Sequence, residues 1–164
     1  MNHPYHHGKR LRLPHYDYSQ AGAYFVTLCT KDRLPILSRI QPGDELHAPA
    51  VYLSSFGVIV ETAIRQISTR YPGVKVDAFA IMPNHVHLLL QLPPDGGPAL
   101  GKIIQQLKGF VTKQCGQPIW QDKYHDHVIR NDADYSARYQ YIANNPSKWA
   151  EDEYYSSSPY TPAT

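Results

Sequence analysis

Cysteine is scarce in this chain. Cys29 and Cys115 are its two cysteines in 164 residues, and they stand far apart. That spacing excludes a disulfide framework and a paired-cysteine zinc motif, and it predicts that both are small buried hydrophobes. Charge is sparse too, at 18% Asp, Glu, Lys and Arg against 42% hydrophobic residues, which excludes a disordered polyelectrolyte. No apolar stretch approaches the roughly 20 residues of a membrane span. The opening run "MNHPYHHGKRLRLPHY" is basic and lacks the apolar segment of a signal peptide. There is no repeat at a solenoid period and no interdomain linker. These absences predict a cytoplasmic protein, a single domain over 1–164 with a core of useful size and no membrane partner.

The net charge of +2 is too small to name a partner by itself, so its distribution matters. Positive charge gathers in an irregular N-terminal arm (Lys9, Arg10, Arg12) and along 102–130 (Lys102, Lys108, Lys113, Lys123, Arg130). Negative charge gathers in the tail, at Glu151, Asp152 and Glu153.

"GAYFVTLCTK" (22–31) is rich in β-branched and aromatic residues and reads as a strand. Residues 41–50 are a Pro/Gly-rich loop. Over 54–70, Phe56, Val60, Ala63, Ile64 and Ile67 recur at three-to-four spacing, which predicts an amphipathic helix capped by Ser54 or Ser55. "VKVDAFAIM" (74–82) and "HVHLLLQL" (85–92) read as strands joined by a tight Pro83-Asn84 connection, hence an antiparallel hairpin. A second amphipathic helix spans 99–114. It buries Leu100, Ile103, Ile104, Leu107, Phe110 and Val111 and presents Lys102, Gln105, Lys108 and Lys113. Residues 119–131 read as a fourth strand. Residues 132–145 form a final helix that Pro146 ends, followed by an irregular tail. The order β-α-β-β-α-β plus an extra helix is an α+β, ferredoxin-like pattern: an antiparallel sheet with helices on one face.

One apolar run, "AIMPNHVHLLL" (80–90), carries two histidines. Side chains at i and i+2 of a strand share a face, so His85 and His87 project together while Val86 and Leu88 turn to the core. Two imidazoles side by side supply two legs of a metal site. The same spacing also suits two exposed or satisfied histidines, so a third ligand is needed. The final helix offers Tyr141 and Asn145, four apart and on one face. Asn145 is an oxygen ligand for a hard cation and Tyr141 a nucleophile, although 13 tyrosines mean that spacing does not single it out. His125 and His127 in "YHDHVIRN" form a second His-x-His. It reads as the exposed side of the fourth strand, with support of the site or of a ligand as the alternative.

"GAYFVTLCTKDR", "AIMPNHVHLLL" and "IWQDKYHDHVIRNDADYSARYQYIANNP", in that order, resemble the hallmark blocks of single-tyrosine HUH transposases. The chain is most similar to their REP-associated tyrosine transposase branch, over about residues 16–150. The resemblance implies that His85, His87 and Asn145 hold a divalent metal, Mg²⁺ or Mn²⁺, and that Tyr141 cleaves single-stranded DNA through a 5′-phosphotyrosine. It implies a hairpin-forming palindrome as the target. Lys9, Arg10 and Arg12 would contact phosphate, Lys102, Gln105, Lys108 and Lys113 would grip a stem, and Arg130 would add a further contact. A monomer without a protein partner is expected. Three other classes compete. One is a catalytically silent DNA-hairpin-binding regulator derived from such a transposase, against which the intact His85, His87, Tyr141 and Asn145 argue. Another is a histidine-motif phosphohydrolase or nucleotide transferase, which wants a third histidine where position 89 is leucine. The third is a structural or interaction protein, which leaves the matched blocks unexplained.

Overall fold

β-branched and aromatic residues in GAYFVTLC build β1 (Gly22–Cys29), a central strand of the main sheet. The structure, a computed structural model, describes residues 22–94, 97–152 and 154–155. Further strands are β2 (Ser38–Gln41), β3 (Ala50–Leu53), β4 (Lys75–Ile81), β5 (His85–Leu92) and β6 (His125–Ile129). The helices are α1 (Ser55–Arg65), α2 (Ile67–Arg70), α3 (Leu100–Cys115) and α4 (Asp132–Asn144), with 3₁₀ turns at Lys31–Arg33 and Pro146–Glu151. The main sheet runs β4-β5-β1-β6 with every pairing antiparallel, which is the expected ferredoxin-like arrangement.

Strand alternation sorts side chains onto two faces of this sheet. Tyr24, Val26, Leu28, Val86, Leu88 and Leu90 point to one side. There α1 and α3 cover them with Val60, Ile64, Ile103, Ile104, Leu107 and Val111. Each fully buried aliphatic side chain of this layer contributes roughly 1.5–3 kcal/mol. Phe25, Ala80 and Leu89 point to the other side, where α4 supplies Ile142. The helices therefore do not all lie on one face: the extra helix covers the opposite side and makes the sheet a buried middle layer.

Several boundaries differ from the sequence expectations. The loop at 42–49 proves to be the tip of a hairpin, β2–β3, paired from Ser38↔Leu53 to Gln41↔Ala50. The helix expected over 54–70 breaks at Gln66 into α1 and α2. The strand expected over 119–131 shrinks to β6, because Trp120 makes an isolated bridge with Thr30 and Lys108 Nζ draws in the carbonyls of Gln121 (2.6 Å) and Asp122 (3.2 Å). Cys29 is buried as expected, but Cys115, at the end of α3, is only half-buried.

The β2–β3 insertion is fastened to α1. Ser54 caps the helix by accepting from Gly57 N–H (3.1 Å) and donates to the carbonyl oxygens of Ile36 and Leu37. A Cβ at Gly57 would collide with the Leu37 carbonyl and stand 3.2 Å from Leu53 Cβ. Alanine for glycine inside a helix ordinarily stabilises by about 0.5–1 kcal/mol. Gly57→Ala is expected to do the reverse and lower the midpoint of urea unfolding; an unchanged or raised midpoint would refute this close approach.

Candidate functional site

The histidine pair lies on the α4 side of the sheet, where His85 pairs with Cys29 and His87 with Thr27 across β1. Both are fully buried, their rings 4.6 Å apart and steeply tilted. Their backbone is held from both sides, since β5 runs between β4 and β1. The preceding turn is held as well. Asn84 O accepts from Thr30 N–H (3.0 Å) and Thr30 Oγ1 (3.1 Å), and Pro83 O accepts from Leu37 N–H (2.9 Å).

Second contacts set the rings. His87 Nδ1 lies 2.9 Å from Thr27 Oγ1. His85 Nδ1 lies 2.9 Å from Asn84 Oδ1, and Asn84 Nδ2 donates to the carbonyls of Tyr154 (2.6 Å) and Arg33 (3.3 Å). Because the amide nitrogen faces two carbonyls, Oδ1 is the acceptor and His85 carries its proton on Nδ1. That leaves a lone pair on Nε2. Burial pushes the His85 pKa down to about 3; the nearby Asn145 side chain opposes the shift and the Arg33 charge adds to it. The imidazole is therefore neutral near pH 7, the state a metal ligand requires.

Helix α4 brings up the remaining members. Asn131 starts it by accepting from Asp134 N–H (2.8 Å). Tyr141 sets its ring 5.2 Å from that of His87 and 6.0 Å from that of Phe25, with its hydroxyl buried. Asn145, the C-cap, keeps helical angles (φ −58°, ψ −44°) and so stays on the face of Tyr141. It is 3% exposed, and its Oδ1, like His85 Nε2, has no hydrogen-bond partner of regular geometry among the described residues. Buried polar atoms are nearly always partnered, so these two donors suit an ion that both could bind.

Other side chains of the site escaped the sequence reading. After α4 the chain turns back over the histidines instead of trailing off as an irregular tail. Trp149 and Tyr154 flank His85, with ring centroids 6.0 and 4.6 Å away. Asp152, which the sequence shows only as tail charge, brings a carboxylate oxygen to the histidines, with the three ligand atoms all within 4.8 Å of one another. Arg33 lies over the Tyr154 ring at 5.0 Å, in a stretch where Asp32 and Arg33 adopt left-handed backbone angles (φ 56° and 54°). Strained backbone of this kind clusters at functional sites. Asn84 adjoins the motif directly, and its amide beside His85 is the one signal that could have been read. Nothing in the tail's composition distinguishes Asp152.

The second His-x-His is not on an exposed face. His125 opposes Thr27 and His127 opposes Phe25, so both look toward α4. His127 Nε2 lies 2.7 Å from Asp134 Oδ2, and Arg138 Nε donates to the other oxygen of that carboxylate at 3.2 Å. This motif fastens the tyrosine helix to the sheet.

Basic residues expected to meet DNA do not gather here. Lys102, Gln105, Lys108 and Lys113 belong to α3, on the far side of the sheet from the histidines. Lys102, Gln105 and Lys113 are exposed, while Lys108 is half-buried and bonded to the 121–122 loop. Arg130 is exposed just beyond β6. Lys9, Arg10 and Arg12 lie outside the described residues. Among the described residues, no helix is long and apolar enough to cross a membrane.

This fold and these buried groups define a class. Residues 22–145 match the family described as "Transposase IS200 like", and the chain belongs to that family. An uncharacterized protein of Haemophilus influenzae is 30% identical over 92% of this chain and 94% of its own length. A second H. influenzae protein, provisionally named a REP-associated tyrosine transposase, is 28% identical over 88% of this chain and 81% of its own. The resemblance to the REP-associated branch read from the sequence is borne out. In fold, the chain is similar to a REP-associated tyrosine transposase solved with a REP hairpin (TM-score 0.64, 24% identity, 84% of this chain and 73% of that one).

Burial of His85 has a consequence for stability. The folded chain protonates it only near pH 3, whereas an unfolded histidine takes up its proton near 6.5. The site's contribution to stability is therefore complete above pH 6.5 and lost as pH falls toward 3. In EDTA, the wild-type unfolding free energy is expected to fall between pH 6.5 and 5 more steeply than that of His85→Gln, by up to on the order of 1.4 kcal/mol per pH unit. Equal slopes would show that His85 is not buried neutral.

Proposed function

We propose that this chain is a divalent-metal-dependent endonuclease and transposase acting on single-stranded DNA, with Tyr141 as nucleophile. The observation that carries the reading is one cluster within one chain. A tyrosine lies against a pair of buried histidines, with a buried carboxamide one helical turn beyond it. His85, His87 and Asn145 would hold Mg²⁺ or Mn²⁺, which when bound polarises a phosphodiester and offsets its negative charge.

The residues would divide the work as follows. Asn84 and Thr27 orient the imidazoles. The Tyr141 hydroxyl, a phenol that ordinarily titrates near 10, gives up its proton as its oxygen attacks phosphorus. The new bond joins the Tyr141 oxygen to phosphorus and the P–O3′ bond breaks. The departing 3′ oxygen takes a proton, leaving a 5′-phosphotyrosine. Phosphoester bonds are conserved in number, so a 3′-hydroxyl can reverse the step and rejoin DNA without ATP.

Family membership, and the REP association carried in the names of relatives, support a hairpin-forming palindrome as the substrate. Lys9, Arg10 and Arg12 of the arm, Lys102, Gln105 and Lys113 of α3, and Arg130 are the proposed contacts. Lys108 joins them only through the loop that it holds. The protein is proposed to work in the cytoplasm as a monomer, with tyrosine and histidines from the same chain.

The reading is tested by incubating the protein with labelled single-stranded DNA bearing palindromes from around its own gene, in Mn²⁺ or EDTA. A denaturation-resistant adduct is expected with Mn²⁺, none with EDTA, and none with Tyr141→Phe. Hairpin binding without an adduct in any condition would leave a regulator instead. Separately, replacing Lys102 and Lys113 by alanine is expected to lower the slope of log affinity against log salt by about 0.9 for each phosphate no longer neutralised, and an unchanged slope would remove α3 from the interface.

A further inference from the structure

We propose that Asp152 is a ligand of the metal site: an anionic donor that completes the set supplied by His85, His87 and Asn145. The inference rests on the metal-dependent reading above and assigns a role to the chain beyond α4.

The segment that follows the tyrosine helix is built to deliver this carboxylate. Asn145 O accepts from Lys148 N–H (3.1 Å) and Trp149 O from Asp152 N–H (3.0 Å), which curls 146–152 back toward β5. Asp152 Oδ1 accepts from Tyr154 N–H at 2.8 Å. Asn84, the residue that orients His85, also bonds the Tyr154 carbonyl, so one side chain fixes the imidazole and the turn holding the carboxylate. The other oxygen, Oδ2, is thereby directed to His85 Nε2 at 3.7 Å, both side chains being almost wholly buried.

That separation is too long for a hydrogen bond. It suits two ligands of one ion, since donors each about 2.0–2.2 Å from a common centre stand roughly 3–4 Å apart. The nearest ligand atoms of His85, His87 and Asp152 all lie within 4.8 Å of one another. Chemistry favours the assignment too. Mg²⁺ and Mn²⁺ prefer carboxylate oxygen, and two imidazoles with an amide supply no charge. Asp152 would reduce the net charge of the loaded site from +2 to +1 and raise affinity for the ion.

The test is a Mn²⁺ titration of the purified full-length protein, following the loss of the free-ion EPR signal. Wild type, Asp152→Asn and His87→Ala are compared, with folding of each checked by circular dichroism in EDTA. Asp152→Asn keeps the oxygen that accepts from Tyr154 and removes the charge. It is expected to melt like the wild type in EDTA and to bind Mn²⁺ about 10- to 100-fold more weakly. Should Asp152→Asn not fold, the proposal is read from Asp152→Glu, which keeps the charge and is expected to retain binding to within about tenfold. Binding by Asp152→Asn as tight as wild type, with His87→Ala defective, would overturn the proposal and leave the metal reading standing. A variant that binds Mn²⁺ normally but cleaves faster would also overturn it, making the carboxylate an obstacle. Absence of Mn²⁺ binding by the wild type would remove the metal reading and this inference together.

Discussion

Everything at the candidate centre depends on a strand that is covered on both faces and still carries two imidazoles. From His85 to Leu90 every residue of β5 is buried, so the histidines cannot be left to solvent. Burying a polar ring is costly unless its nitrogens are engaged, and burying it charged is costlier still. The fold answers with Nδ1 atoms that meet Asn84 and Thr27 and, at His85, with a neutral ring whose lone pair lies on Nε2. Because β5 is hydrogen-bonded to β4 and β1, and the 82–84 turn to Thr30 and Leu37, the donors are held without reorganisation. Such preorganisation is what gives fixed ligands their catalytic value.

How much of this was legible in the sequence follows from which residues obey a period. His85 and His87 could be placed on one face because strand alternation is a local rule, and Tyr141 and Asn145 because helical spacing is another. The β4–β5 hairpin announced itself by two apolar runs around Pro83-Asn84. The β2–β3 hairpin did not, since its four-residue strands give alternation little length to show. β6 was overextended because only its tertiary partners, Thr30 above it and Lys108 beside it, decide where the ladder stops. Asp152 follows no period. It reaches the histidines through turns whose geometry is set by Asn84, 68 residues earlier in the chain, and no local pattern carries that information.

Helix α4 shows the limit of amphipathic reading from another side. Only Arg138 and Ile142 of its 13 residues are buried, so no apolar stripe announces which face meets the sheet. Start and stop signals found the helix; polar contacts orient it. Tyr135 Oη donates to Asp77 Oδ2 at 2.7 Å, and Asp77 sits where a bulge between Val76 and Ala78 shifts the β4 register. Asp134 joins His127, and Arg138 lies over the Phe25 ring at 5.5 Å. Burial works against the Asp134 charge, yet His127 and Arg138 prevail and hold its carboxyl below the usual range. A helix fastened by directional bonds has a defined rotation as well as a defined position, and rotation is what aims Tyr141.

The two faces of the sheet therefore do different work. The α1–α3 side is an apolar layer that supplies stability, which permits the α4 side to hold imidazoles, a carboxylate and a phenol. It also separates the exposed Lys102 and Lys113 from Tyr141 by the thickness of the sheet. Under the proposed reading, a nucleic acid touching both must pass around an edge strand, β4 or β6. A straight duplex is too stiff to bend around so small a body without large cost. A folded stem with an unpaired flank has a flexible joint where the turn is needed. Under that same proposal, the separation of α3 from Tyr141 is met more readily by a hairpin with a single-stranded arm than by a continuous double helix.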